Sequence, residues 1–195
     1  MSDAAKMVPT ASQTVGPFFS IGLCPHNPSN LIPEQSVASA PVITLKGRVL
    51  DGDGQGVPDA VLEVWRADQL GVFSGPDDVA SHNASGVPAG FARIPTNERG
   101  EFEIQTIKPG VIRSNDEETH APHLSVVIFM RGLLRQLLTR VYFAQGPANE
   151  KDPVLKVVPA QRRNTLIALQ SGENENEFCW NICLQGDDET VFFEA

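Results

Sequence analysis

Tyrosine is nearly missing from this chain: one residue, Tyr142, in 195. A site that needs two tyrosinate ligands is therefore excluded. Cysteine is scarce too. Cys24, Cys179 and Cys183 are the three present, an odd number that makes no disulfide framework. Cys179 and Cys183 lie four apart in a strand-like run, on one face and about 13 Å from each other at ~3.3 Å per residue, too far to bridge. All three read as small buried thiols in a reducing cytoplasm. No apolar run approaches the roughly 20 residues of a membrane span, and no apolar signal core follows the N-terminal Met-Ser-Asp-Ala-Ala-Lys. A net charge of -9 argues against a nucleic-acid backbone or an anionic membrane as partner, although a local arginine can still bind a small anion. Familiar motifs are absent as well. No Lys-Ser or Lys-Thr follows Gly52 and Gly54, so there is no phosphate loop. There is no Gly-x-Ser-x-Gly elbow and no Cys/His spacing of structural zinc.

Helical periodicity is weak throughout; the best candidate is a short turn from Pro159 to Asn164. Strand patterns dominate instead. Val42 to Leu50 is strand-like and ends in the turn signal Asp51-Gly52-Asp53-Gly54. Ala60 to Arg66 follows, with Leu62 and Val64 on one face. Glu101 to Ile107 alternates cleanly, placing Phe102, Ile104 and Thr106 together. His123 to Met130 has the most buried character. Leu137 to Phe143, Thr165 to Gln170, Glu177 to Leu184 and Thr190 to Phe193 complete the set. Residues 67 to 99 form a long irregular stretch rich in Gly, Pro, Ser, Asn and Asp, a length that is often functional. Short strands with Gly/Pro turns predict an all-β fold, an antiparallel β-sandwich with little helix. The sandwich spans residues 41–195. Residues 1–40, punctuated by Pro9, Gly16, Pro17, Pro25, Pro28 and Pro33, form an extended N-terminal arm lying along its own domain or a partner.

Several ordered motifs carry a resemblance to a known family. Gly47-Arg48-Val49-Leu50-Asp51 is followed by Gly56-Val57-Pro58-Asp59-Ala60 and by Val61-Leu62-Glu63-Val64-Trp65-Arg66-Ala67-Asp68. Gly100-Glu101-Phe102, Thr106-Ile107-Lys108-Pro109-Gly110 and Ala121-Pro122-His123-Leu124 continue the series. This order resembles the intradiol aromatic-ring dioxygenases. Within that family the likeness is greatest to the alpha subunit of a two-subunit member. It is carried by Ser12-Gln13-Thr14-Val15-Gly16-Pro17-Phe18, Phe129-Met130-Arg131-Gly132, Thr139-Arg140-Val141-Tyr142-Phe143, Pro153-Val154-Leu155, Arg162 to Ala168 and Glu189 to Phe193. Only residues 19–41 and 69–90 align loosely.

The resemblance implies a ferric site of two Tyr and two His, and this chain departs from it. The Tyr after Pro-Gly-x is Ile112 here; the loop that should supply the second Tyr contains none; His-x-His reads His123-Leu124-Ser125. Isoleucine and serine do not replace tyrosinate and imidazole as ferric ligands. The chain is thus expected to bind no metal and to carry no catalytic residue of its own. Fe(III) is expected in a homologous beta subunit, with which this chain forms an alpha-beta hetero-oligomer. Together they would cleave 3,4-dihydroxybenzoate with O2 to 3-carboxy-cis,cis-muconate. The arm would pack on the beta subunit. By the same resemblance, Arg131 would hold the carboxylate of the aromatic acid, its fork donating two parallel hydrogen bonds. Thr14, Gly16 and Pro17 would line the rim of the partner's pocket. Each has a plainer reading: Arg131 as a surface ion pair, the arm residues as an ordinary loop. His123 reads as a structural histidine. His120 and His123 with Glu117 or Glu118 have the composition of a two-His, one-carboxylate ferrous site, which would make the chain a dioxygenase by itself. A free-standing, non-catalytic β-sandwich for binding or assembly is the remaining alternative.

Overall fold

The computed structural model describes residues 9–24, 31, 41–73, 90–113, 118–172 and 174–194. Most of the arm after Cys24 and the middle of the 67–99 stretch lie outside them, as do Glu117, His26 and His82. In chain order the strands are β1 (Val42–Leu50), β2 (Val61–Arg66), β3 (Phe91–Pro95), β4 (Glu101–Ile107), β5 (Ile112–Arg113), β6 (Thr119–His120), β7 (His123–Phe129), β8 (Leu137–Phe143), β9 (Ile167–Gln170), β10 (Glu177–Cys179) and β11 (Ile182–Cys183). Two helices of five residues join them, α1 (Phe19–Leu23) and α2 (Pro153–Val157).

Nine strands run in the order β11-β1-β10-β9-β8-β7-β2-β3, with β4 on β1, and β5 pairs β6 separately. The inward residues of the two halves meet in one core. Ile43, Leu45 and Val49 of β1 and Phe102 and Ile104 of β4 pack with Leu62 and Val64 of β2 and with Leu124, Val126 and Ile128 of β7. This is the expected β-sandwich, and alternation along β1, β4 and β7 follows the two-residue period of a strand. At Gly47 an added Cβ would meet the Trp180 carbonyl oxygen at 1.8 Å, so only glycine allows the close approach of β1 to that backbone.

The structure refines the expected pairing. β1 pairs β10 and β11 in parallel, and β8 pairs β9 in parallel. Parallel neighbours need a long crossover, which residues 144–166 supply between β8 and β9. That crossover holds α2, which periodicity did not suggest, and a 3-10 segment, Ala160–Leu166, that overlaps the expected turn. Asp152 starts α2: its Oδ1 accepts from the Val154 and Leu155 amides, each at 2.9 Å, and Pro153 occupies the first turn. The Glu177–Leu184 run is two strands, because it breaks at Trp180 and Asn181. There the Trp180 amide donates to Lys46 O and the Asn181 side chain accepts from the Arg48 amide. Thr190–Phe193 is no strand; only Leu138 and Phe193 form a bridge. β3 lies within the stretch read as irregular.

Two further expectations change. The arm is not wholly extended, since Phe19–Leu23 is helical. The cysteines are free but none is buried: Cys179 is exposed, Cys24 and Cys183 intermediate. On β10, Phe178 takes the core position, so Cys179 next to it faces outward. Burial pushes the Cys24 and Cys183 thiols up. Among the described residues no helix is long and apolar enough to cross a membrane.

Candidate functional site

Strand β7 has ionisable side chains at or just beyond both ends, His123 and Arg131. Past its C-terminal end the chain turns through Met130, Arg131 and Gly132. The Gly132 amide donates to Thr14 Oγ1 at 2.8 Å. This hydrogen bond ties the arm to the β7–β8 turn, and Gln13 and Val15 share a shallow hollow there with Met130, Leu133 and Leu134. Arg131 is exposed beside this junction. Its Nη2 lies 4.0 Å from Asp59 Oδ2. Two residues beyond Thr14, Gly16 has φ +77° and, among the described residues, nothing within 4 Å of an added Cβ. Its left-handed backbone favours glycine and turns the arm at Pro17. Val15, Phe18 and Ile21 are left exposed along the arm, and Leu134 in the turn. The structure therefore brings Thr14 beside Arg131, with Gly16 and Pro17 next along the same segment.

At the N-terminal end of β7 the polar groups point inward. His123 is 3% exposed, and its Nδ1 meets Ala121 O at 2.7 Å, the contact of a donating Nδ1–H. Burial lowers its pKa to about 4, the largest of several influences. It pairs across the sheet with Tyr142, ring to ring at 5.3 Å. Tyr142 OH donates to Asp152 Oδ1 at 3.1 Å, and burial raises its pKa. Asp152 is fully buried. Besides capping α2, its Oδ2 accepts from the Ala121 amide at 2.8 Å and lies 3.7 Å from His120 Nδ1. One carboxylate thus joins β8, α2 and the chain between β6 and β7. A buried carboxylate that accepts this many N–H and O–H donors is held firmly.

The positions that match the family's metal ligands do not fit an iron ion. Ile112 is buried and apolar, Ser125 sits between Trp65 and Arg140 in the sheet, and His123 spends a ring nitrogen on the backbone. Glu118 is exposed on the far side of His120 in sequence, and Glu117 lies outside the described residues. Among the described residues no group of three His, Cys, Asp or Glu side chains could hold a metal. Asp152 and its cluster went unread in the sequence. Asp-Pro ahead of an apolar pair is a helix-start signal and would have located it.

A family model described as Dioxygenase matches residues 14–186. The protocatechuate 3,4-dioxygenase alpha chain of Burkholderia cepacia is 40% identical over 202 residues, covering 95% of this chain and 97% of that one. The beta chain of the same organism is 31% identical over 157 residues, 76% of this chain and 66% of that one. The 3-chlorocatechol 1,2-dioxygenase structure from Rhodococcus opacus 1CP superposes with a TM-score of 0.64 at 19% identity, covering 93% of this chain and 69% of that one. On the family match and the 40% relative, this chain belongs to the intradiol dioxygenase family.

Proposed function

We propose that this chain is the alpha-type subunit of a protocatechuate 3,4-dioxygenase, working in complex with a homologous beta subunit. The complex cleaves 3,4-dihydroxybenzoate with O2 to 3-carboxy-cis,cis-muconate in the cytoplasm. The ferric ion belongs to the beta subunit in this reading, and no step in this chain runs through it. The chain's own work is binding and enclosure. Arg131 receives the carboxylate of the aromatic acid, for which a planar two-pronged donor is suited. Gly16 and Pro17 wall the partner's pocket, with glycine allowing close backbone approach. Thr14 fixes the arm against the turn that bears Arg131. In this reading residues 1–40 pack on the beta subunit, and residues 41–195 are the sandwich that carries the turn.

The observation that carries this reading is the Thr14–Gly132 hydrogen bond, which sets the arm beside an exposed guanidinium. The apolar side chains left uncovered on the arm, Phe18 and Ile21 above all, suit burial against a partner. The test is co-expression of this chain with an iron-bearing homologue, against each chain alone, followed by metal analysis and oxygen uptake on 3,4-dihydroxybenzoate. Iron and full activity are expected only with the partner present. Iron and activity in the lone chain would overturn the assignment, and a stable complex whose kinetics ignore this chain would leave it an assembly module.

A further inference from the structure

Asp59 faces Arg131 for reasons of register. β2 and β7 are antiparallel, and their last pair is Val61 with Phe129. Two residues further on each chain stand Asp59 and Arg131, opposite each other across the end of the ladder. The carboxylate and the guanidinium approach to 4.0 Å, both about half exposed.

The backbone at Asp59 is unusual. Its φ is +61°, one of two positive values among the described non-glycine residues. Asp tolerates this region better than most side chains, but it remains a strained choice. The surroundings impose it. The Ala60 amide donates to Thr96 Oγ1 at 3.0 Å, the Thr96 amide to Ala60 O at 2.8 Å, and Thr96 Oγ1 to Val57 O at 2.8 Å. Ala60 and Thr96 are both buried, so the loop that presents Asp59 is pinned from inside. Strain held by a well-fixed surrounding points to use.

We propose that Asp59 is a positioning residue for Arg131, holding its guanidinium ready for the substrate carboxylate. The inference rests on the reading of Arg131 given above. A free arginine side chain loses much rotamer freedom when it binds, and a tether made beforehand reduces that loss. Nη2 carries two N–H groups. At 4.0 Å Asp59 attracts the guanidinium as an ion pair without taking a hydrogen bond from it, so the N–H groups of the fork stay open to a second carboxylate. Because an exposed pair contributes little to folding, orientation and stability can be separated by experiment.

The test uses the assembled complex with its iron-bearing partner and four forms of this chain: unaltered, Asp59→Asn, Arg131→Ala, and both together. Asn keeps the shape of Asp and adopts the left-handed backbone equally well, so only the charge changes. Asp59→Asn should raise KM for 3,4-dihydroxybenzoate roughly two- to fivefold, the range an exposed ion pair supplies. Its kcat, iron content and unfolding midpoint should not move, and it should add nothing in the Arg131→Ala background. If Asp59→Asn leaves KM unchanged or lowers it while Arg131→Ala raises it, Asp59 does not position the arginine, and the assignment of Arg131 stands. An equal rise in both backgrounds would show that Asp59 acts on something else. If Arg131→Ala itself leaves KM unchanged, the substrate role of Arg131 falls, and the inference with it.

Discussion

The two ends of β7 solve opposite problems with similar groups. At His123 the polar atoms turn inward around Asp152, which accepts four hydrogen bonds, while the buried His120 Nδ1 stays without one, 3.7 Å from Asp152 Oδ2. At Arg131, eight residues on, the charge faces outward with one loose partner, and the arm lies beside it. The first arrangement is an enclosed one in which the Asp152 carboxylate is spent on the fold. The second keeps hydrogen-bonding capacity in reserve. A residue that matches a family's metal ligand can therefore be tied into the fold, as His123 is here through Ala121 O, while the end of the strand that no ligand motif marks keeps its charge at the surface.

The contrast breaks most sharply at Asp152. Replacing it with Ala should destabilise the chain by about 3–5 kcal/mol, because four donors and a histidine lose their shared acceptor inside the protein. A chemical denaturation curve that moves by less than ~1 kcal/mol would mean the cluster is not a hub. Acid should act on the same end. His123 has a pKa of about 4 when folded against 6.5 as its ordinary value. Between those values the unfolded chain binds more protons, so stability is full above pH 6.5, falls as pH drops toward 4, and levels off below. At about 1.4 kcal/mol per unit the loss from this group approaches ~3 kcal/mol. His123→Gln should flatten that slope; an unchanged slope would refute the assignment.

The open end should answer in kinetics and not in stability. Arg131→Ala in the assembled enzyme should raise KM for 3,4-dihydroxybenzoate by about tenfold or more, the worth of a hydrogen bond to a charged group. Iron content and unfolding midpoint should hold steady. Thr14→Val should have the smallest effect, a KM rise of about fivefold or less from one exposed hydrogen bond. If it instead lowers the unfolding midpoint by as much as Asp152→Ala, the two ends are not distinct.

Much of the sandwich is legible in the chain. Ile43, Leu45 and Val49, or Phe102, Ile104 and Thr106, alternate so regularly that their strands and inward faces follow directly. β3 is harder: Phe91-Ala92-Arg93-Ile94-Pro95 is short, and it follows a run of Gly, Pro, Ser and Asn that masks it. It is a strand because β2 pairs with it along its length, from Val61–Pro95 to Trp65–Phe91. The parallel pairings are invisible locally, since nothing near Lys46 announces Cys179 as its neighbour. The site divides in the same way. Thr14, Gly16, Pro17 and Arg131 are marked by resemblance to a family. Asp59 and Asp152 depend on contacts across 72 and 31 residues, with Arg131 and Ala121 respectively, that only folding creates.

The seating of β1 also bears on when the chain can fold. Its partners β10 and β11 are drawn from residues 177–183, so the first long strand waits for nearly the last. Contacts this distant in sequence close slowly. During synthesis β1 would leave the ribosome with β4 as its only long neighbour among the described strands and with its other edge waiting for β10 and β11, a state open to wrong pairing. A second subunit that met the chain before β10 and β11 were made would find β1 still unpaired along that edge, so the time each subunit spends waiting for the other bears on how much of it assembles correctly.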